Sequence, residues 1–347
     1  MTLTTSVEQL ESLGDSFDFS SLLKDRFSDS TLGDIPPIPS PYEVNNLEPS
    51  HYCDTDSLSK YLSDNPVDLY LHLNIQSLSA KFDALRMFLN SLSRQNSSCL
   101  PEILALSETW LCKENEHAFN IEGYQQFVSN CRSDKEHHGG IGFFIREGTD
   151  FVRRNDLSIF IPFIFESVFI TLKSKNITLG VIYRTPSADS TQFLDEYNRL
   201  IEKLESMSEH FILFGDFNFN LLHYDNDLNV NEFANVNFQH GCVPLITKPT
   251  RIDARSASCI DSIIPNKIIR NSQAGIIVED ISDHLPIFYL QTSSHSTLNS
   301  DSTATYQTRN YSAKNLEKLV QNLSSFNFSI IFLLQKILPK LQRHLTK

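Results

Sequence analysis

Phe211-Ile212-Leu213-Phe214-Gly215-Asp216-Phe217-Asn218 is the stretch that decides how this chain is read. Four apolar residues in a row have the length of a buried strand. The Gly-Asp step that follows is where such a strand turns out of the core. It delivers a carboxylate, Asp216, and an amide, Asn218, to the strand's end. Taken alone, Gly-Asp is often just a turn.

The pattern recurs. Leu69-Tyr70-Leu71-His72-Leu73 ends at Asn74, and Ile103-Leu104-Ala105-Leu106-Ser107 ends at Glu108. Thr178-Leu179-Gly180-Val181-Ile182 ends at Tyr183, and Ser282-Asp283-His284 stands just before a last apolar run. Each has an ordinary reading: Asn74 as a turn residue, Glu108 as a solvated loop acid, Tyr183 as a packed edge aromatic, Ser282-Asp283-His284 as a local turn. All of these would have to hold together. If the strands lie side by side, their ends converge on one edge. Carboxylate and amide oxygens gathered there suit a hard ion such as Mg²⁺. A single His without a cysteine partner suits acid–base work. The combination points to metal-assisted phosphoryl chemistry.

Around these motifs, Val67–Leu73, Ile103–Leu106, Ile141–Ile145, Val168–Leu172, Thr178–Ile182, Phe211–Phe214, Ile260–Ile264, Ala274–Val278 and Ile287–Leu290 read as strands. Phe82, Leu85, Phe88, Leu89 and Leu92 share one helical face, and Phe193, Tyr197, Leu200, Ile201 and Leu204 another. Many strands with interspersed helices predict a layered α/β or α+β domain over residues 67–291. Strand order is not readable from this pattern.

Residues 1–66 are Ser- and Asp-rich, hold 12 acidic and 3 basic side chains, and contain Ile35-Pro36-Pro37-Ile38-Pro39-Ser40-Pro41. They read as a disordered acidic tail. Residues 292–310 read as a Ser/Thr-rich linker, with helices expected at Asn315–Leu323 and Ile330–Leu345 as a connector. The net charge of −13 opposes general nucleic-acid binding, because phosphate contacts need Lys and Arg. A DNA substrate therefore requires metal ions and a local basic surface. The six cysteines form no CxxC pair, which argues against zinc. No signal peptide or membrane-spanning run is visible, and the cysteines read as thiols of an intracellular, reducing compartment. His137, His138 and His240 read as loop and helix-end residues without a catalytic role.

Six motifs in order carry a resemblance. They are Leu73-Asn74-Ile75, Leu106-Ser107-Glu108-Thr109-Trp110-Leu111, Val181-Ile182-Tyr183-Arg184, Gly215-Asp216-Phe217-Asn218, Ile260-Asp261-Ser262-Ile263 and Ser282-Asp283-His284-Leu285-Pro286. The chain resembles the endonuclease/exonuclease/phosphatase family. Gly139-Gly140-Ile141-Gly142 and Pro249-Thr250-Arg251, ahead of Ser256-Ala257-Ser258-Cys259, make it most similar to the apurinic-type endonuclease domain of non-LTR (LINE-type) retrotransposons. The resemblance implies a four-layered α/β sandwich, two mixed β-sheets flanked by helices. It implies Mg²⁺, with Mn²⁺ as the alternative ion, a DNA substrate, no membrane partner and a nuclear location.

Role by role, Glu108 resembles the metal-ligating glutamate and Asp283 a residue near the metal. Asp216 resembles the aspartate that activates the attacking water. Asn74 and Asn218 resemble amides that position metal, water or phosphate. Tyr183 resembles the tyrosine at the scissile phosphate, His284 the histidine on a phosphate oxygen, and Asp261 the acid that holds it. Arg251 is a candidate for reaching DNA phosphate. Such elements continue into a reverse transcriptase, and no Tyr/Phe-x-Asp-Asp motif occurs here, so the chain reads as a truncated copy. A phosphatase or lipid phosphodiesterase of the same fold, and a catalytically silent relic, are the alternatives.

Overall fold

The computed structural model describes residues 50–292 apart from Pro66, 95–98, Gln126, 133–137, 208–209, 254–255 and 270–271. The expectations for residues 1–49, for the connector beyond 292 and for His137 lie outside the described residues. The described chain begins with β1 (His51–Cys53), α1 (Thr55–Asp64), β2 (Val67–Asn74), α2 (Leu78–Ser93) and β3 (Ile103–Ser107). There follow β4 (Val128–Asn130), β5 (Ile141–Ile145), β6 (Phe151–Arg153), β7 (Phe160–Ile161), β8 (Phe165–Leu172), β9 (Ile177–Arg184), α3 (Ser190–Ser206) and β10 (His210–Asp216). The remainder is α4 (Leu228–Gln239), β11 (Arg251–Ile252), β12 (Ala257–Ser258), β13 (Asp261–Pro265), β14 (Gln273–Ile277) and β15 (Ile287–Thr292).

The first two elements correct the tail boundary. β1 pairs in parallel with β14, and α1 buries Leu58 and Leu62. Tyr52 is buried too, its hydroxyl donating to the carbonyl of Pro249 at 2.8 Å. The acidic, Ser-rich composition averaged over 66 residues concealed a short amphipathic helix. Its polar face is the part that composition records.

Two mixed sheets carry the architecture. One has the order β1-β14-β15-β2-β3-β5-β4, the other β13-β10-β9-β8-β6 with β7 on β8, and β11 and β12 form a small hairpin. The strand period of two sets the layers. On β2, Leu69, Leu71 and Leu73 join a core with Leu58 and Leu62 of α1 and Leu85, Phe88, Leu89 and Leu92 of α2. Tyr70 faces the other way and meets Phe214 of β10 edge-on, with ring centroids 6.5 Å apart. Tyr70, His72 and Asn74 therefore share the face of β2 that looks at the second sheet. The far side of that sheet is covered by α3 and α4, where Tyr197 meets Phe217 and Phe233. Helices, sheet, sheet and helices make four layers, as the resemblance implies.

Local chemistry agrees with these elements. α3 buries Phe193, Leu194, Tyr197, Leu200, Ile201 and Leu204 on one stripe. Its N-terminus is closed by Asp189, which accepts from Gln192 N at 2.8 Å. At Gly215 a side chain has no room, since a Cβ there would lie 1.9 Å from the carbonyl oxygen of Ile182. β10 thus runs hard against β9 at the point where it delivers Asp216.

Candidate active site

The parallel pairing of β2 with β3 aligns Asn74 with Ser107, one residue before Glu108. On the second sheet, Asp216 is in register with Tyr183 of β9 on one side and Asp261 of β13 on the other. Both sets of strand ends open on the same edge, and the two sheets meet there through side chains. The Asn74 amide nitrogen donates to Glu108 Oε1 at 2.8 Å and to Asp216 Oδ2 at 2.9 Å. Trp110 Nε1 donates to the other oxygen of Glu108 at 3.2 Å. Glu108 itself has φ +52°, a left-handed conformation uncommon for its type. Backbone bonds hold it there: Ser77 N donates to its carbonyl at 2.9 Å, and Thr109 N donates to Gly140 O at 3.0 Å.

Behind Asp216 lies a buried acid–imidazole pair. His284 Nδ1 and Asp261 Oδ2 are 2.8 Å apart, and Thr250 Oγ1 donates to the same oxygen at 2.6 Å. Ser282 Oγ donates to Asn74 O at 2.6 Å, tying the His284 loop to the end of β2. One ligand atom each from Asp216, Asp261 and His284 fall within 4.8 Å of one another.

These neighbours reset the acidities. Burial lowers the proton affinity of His284, but the Asp261 charge and hydrogen bond, with Asp216 and Asp283, lift it to about 9. Burial raises Asp261, yet the imidazolium of His284, its hydrogen bond, His72 and Thr250 hold it below the ordinary carboxylate range. Asp216 is pushed up to about 7, first by burial and then by the Asp261 and Glu108 charges, against the pull of His284 and the Asn74 bond. Tyr183 is raised by burial and by Glu108, Asp216 and Glu166, so its hydroxyl stays a donor.

The structure thus gathers Asn74, Glu108, Asp216, Asp261 and His284 into one bonded set. Asn218 joins through its backbone N, which donates to Asp216 Oδ1 at 3.0 Å. Its side-chain amide donates to Arg184 O at 2.6 Å and so ties β9 to the turn after β10. Tyr183 joins through strand register. Arg251 and Asp283 stand half-exposed beside the set and are engaged with each other. Arg251 Nε and Nη2 reach Asp283 Oδ2 at 2.8 and 2.7 Å.

Four groups carry roles that the sequence did not assign to them. Thr250 and Ser282 serve the His284 pair. His72 is fully buried, with Nε2 3.2 Å from Ser107 Oγ and Nδ1 without a partner. Glu166 is buried against Arg132 and accepts from Gly140 N at 2.7 Å. His72 had a signal, a polar residue inside a strand flanked by Leu71 and Leu73, whereas Glu166 stands next to Ser167 and had none. His240, read as a helix end, caps α4. His138 is exposed.

The family model described as the Endonuclease/Exonuclease/phosphatase family matches residues 71–284. Among solved structures, the chain is similar to the endonuclease domain of TRAS1, a telomere-specific non-LTR retrotransposon. The identity is 17% and the TM-score 0.50, over 65% of this chain and 99% of that one. It is also similar to the AP endonuclease LMAP from Leishmania major, at 12% identity and TM-score 0.53, over 72% and 93% of the two chains. At such identities the likeness is one of fold. No curated protein matches the chain.

Proposed function

The chain belongs to the endonuclease/exonuclease/phosphatase family, and from that membership we propose that it is a divalent-metal-dependent DNA endonuclease of the non-LTR retrotransposon kind. It hydrolyses one phosphodiester and leaves a 3′-hydroxyl. The observation that carries this reading is the Asn74 amide bonded to both Glu108 and Asp216, with the Asp261–His284 pair beside it.

The donor set fits a hard cation. Asn74 Oδ1, Asp261 Oδ1 and Asp283 Oδ1 are buried oxygens without hydrogen-bond partners. Four carboxylates gather here, Glu108, Asp216, Asp261 and Asp283, with His284 paired to Asp261 and Arg251 to Asp283. Glu108 and Asp283 would hold Mg²⁺ or Mn²⁺. When bound, the ion offsets charge on the phosphoryl oxygens.

The chain's own groups do the rest. Asp216 takes a proton from the attacking water. Its rotamer is fixed by donors on both oxygens, from Asn218 N and from Asn74, and each oxygen keeps a lone pair. His284, with Nδ1 on Asp261, offers Nε2–H to a phosphate oxygen as a charged donor. Tyr183 and Asn74 position the phosphate, and Asn218 holds the turn that presents Asp216. Arg251 reaches a flanking phosphate when it exchanges Asp283 for it.

One observation favours a second reading, a phosphatase or lipid phosphodiesterase of the same fold: the net charge of −13. Supercoiled plasmid separates the two. Nicked circles that need Mg²⁺ and vanish with chelator support the endonuclease. Intact plasmid alongside release of phosphate from a small ester would replace it with the second reading.

A further inference from the structure

Among the described residues, the arginines nearest the site, Arg132, Arg184 and Arg251, are already engaged. Arg132 is paired with buried Glu166, and Arg251 with Asp283. Arg184 Nη2 donates to Ala188 O at 2.8 Å and Ser190 Oγ at 3.0 Å, and Nη1 to Asn218 O at 3.2 Å. A DNA substrate would find these three arginines engaged within the chain, so contacts other than phosphate are a natural source of part of its affinity.

The hairpin between β7 and β8 offers one. Its turn, Pro162-Phe163-Ile164, places Phe163 at φ +63° with the residue 57% exposed. Left-handed positions in such turns ordinarily belong to glycine or asparagine, and a bulky aromatic there is uncommon. The ring is not loose. The Arg132 guanidinium lies 5.9 Å from its centroid, and Arg132 is buried and pinned by Glu166. Strand register places the hairpin on the site's edge. Glu166 is opposite Tyr183, Phe165 opposite Arg184, and Thr185 N donates to Ile164 O at 3.3 Å. Three residues of strand separate Phe163 from the level of Tyr183, about 10 Å. Glu166 also accepts from Gly140 N, and Gly140 and Gly139 take the N–H groups of Thr109 and Trp110. Phe163, Arg132, Gly139 and Trp110 thus form one chain of contacts that ends at Glu108, to which Trp110 Nε1 donates.

We propose that Phe163 is a stacking platform for an unstacked DNA base flanking the scissile phosphate. The proposal rests on the endonuclease reading and names its substrate more closely: DNA locally opened beside the cut. An aromatic face accepts any base, supplies affinity where phosphate contacts are few, and is held rigid here by the guanidinium beneath it.

The test uses the full chain, a duplex oligonucleotide carrying 2-aminopurine at successive positions around the nick, and bis(p-nitrophenyl) phosphate as a diester without bases. Phe163→Ala is expected to raise KM for DNA about 5- to 150-fold, the range that loss of one stacked base corresponds to, with kcat changed little. The 2-aminopurine signal that wild-type protein produces at one flanking position should be lost. Phe163→Trp should restore both, and Phe163→Gly, which suits the left-handed backbone, should behave as Phe163→Ala. Unchanged KM in a folded Phe163→Ala or Phe163→Gly variant would overturn the proposal, as would an equal loss on bis(p-nitrophenyl) phosphate. Wild-type protein that hydrolyses the small diester but nicks no DNA would overturn the endonuclease reading itself, and the stacking platform with it.

Discussion

Asn74 and Asp216 come from different sheets, and the amide of one donates to the carboxylate of the other at 2.9 Å across the space between them. The same nitrogen holds Glu108. A single side chain therefore sets the spacing of two acids that would otherwise repel.

Replacing Asn74 tests this. Asn74→Ala leaves two carboxylates without their shared donor, and Asn74→Asp adds a third negative charge between them. Both variants should lose activity about 100-fold or more, the size expected when a positioned catalytic acid–base group is disturbed. Loss of the buried bond should cost about 1–3 kcal/mol of stability. Asn74→Asp should melt lower at pH 8 than Asn74→Ala, because a third ionised carboxylate is forced into the set. Equal melting temperatures for the two variants would mean that the acids are not held under mutual repulsion.

The amino-terminal boundary gives a second expectation. A chain beginning at residue 67 lacks β1 and α1, and with them the buried Tyr52, Leu58 and Leu62. Each fully buried side chain of this size stabilises by roughly 1.5–3 kcal/mol. That truncation should unfold at markedly lower denaturant than a chain beginning at residue 50. Coincident unfolding curves would return residues 51–64 to the status of a tail.

The acid side of the stability profile belongs in part to His72. Burial holds its imidazole down at about 4, with Asp261 attracting and His284 repelling its charge, against an ordinary value of 6.5. Because the folded value is the lower one, this stabilisation is complete above about pH 6.5 and is lost as pH falls toward 4. The upper limit is about 3 kcal/mol. Chemical denaturation of wild-type and His72→Gln protein at pH 7 and pH 4.5 checks it. Wild-type protein should lose more stability than the variant over that interval. Equal losses would show that His72 is protonated no differently in the folded and unfolded chain.

Much of this site was legible because strand ends carry their chemistry in sequence. Asn74, Glu108, Tyr183, Asp216 and His284 each adjoin an apolar run, and side-chain period alone puts Asn74 and Tyr70 on one face. What escaped depends on partners distant in the chain. β1 is three residues long and acquires meaning only by pairing with β14. α4, Leu-Asn-Val-Asn-Glu-Phe-Ala-Asn-Val-Asn-Phe-Gln, is poor in strong helix formers. It is held by the Asp227 cap and by Asn237, which accepts from the buried Tyr197 hydroxyl at 2.8 Å. The Arg132–Glu166 pair joins β8 to the segment after β4, and no local pattern foretells such a bond.

The central claim is that Asp216 moves a proton while Glu108 holds a metal, and one titration separates the two roles. Plasmid nicking is measured for wild-type, Asp216→Asn and Glu108→Gln proteins across a range of Mg²⁺ concentrations. Asp216→Asn is nearly isosteric but accepts no proton, so activity should fall about 100- to 10,000-fold and stay low at every Mg²⁺ concentration. Glu108→Gln weakens a ligand, so its activity should recover in part as Mg²⁺ rises. Recovery of Asp216→Asn to the same extent as Glu108→Gln would contradict the assignment and make Asp216 chiefly a metal ligand.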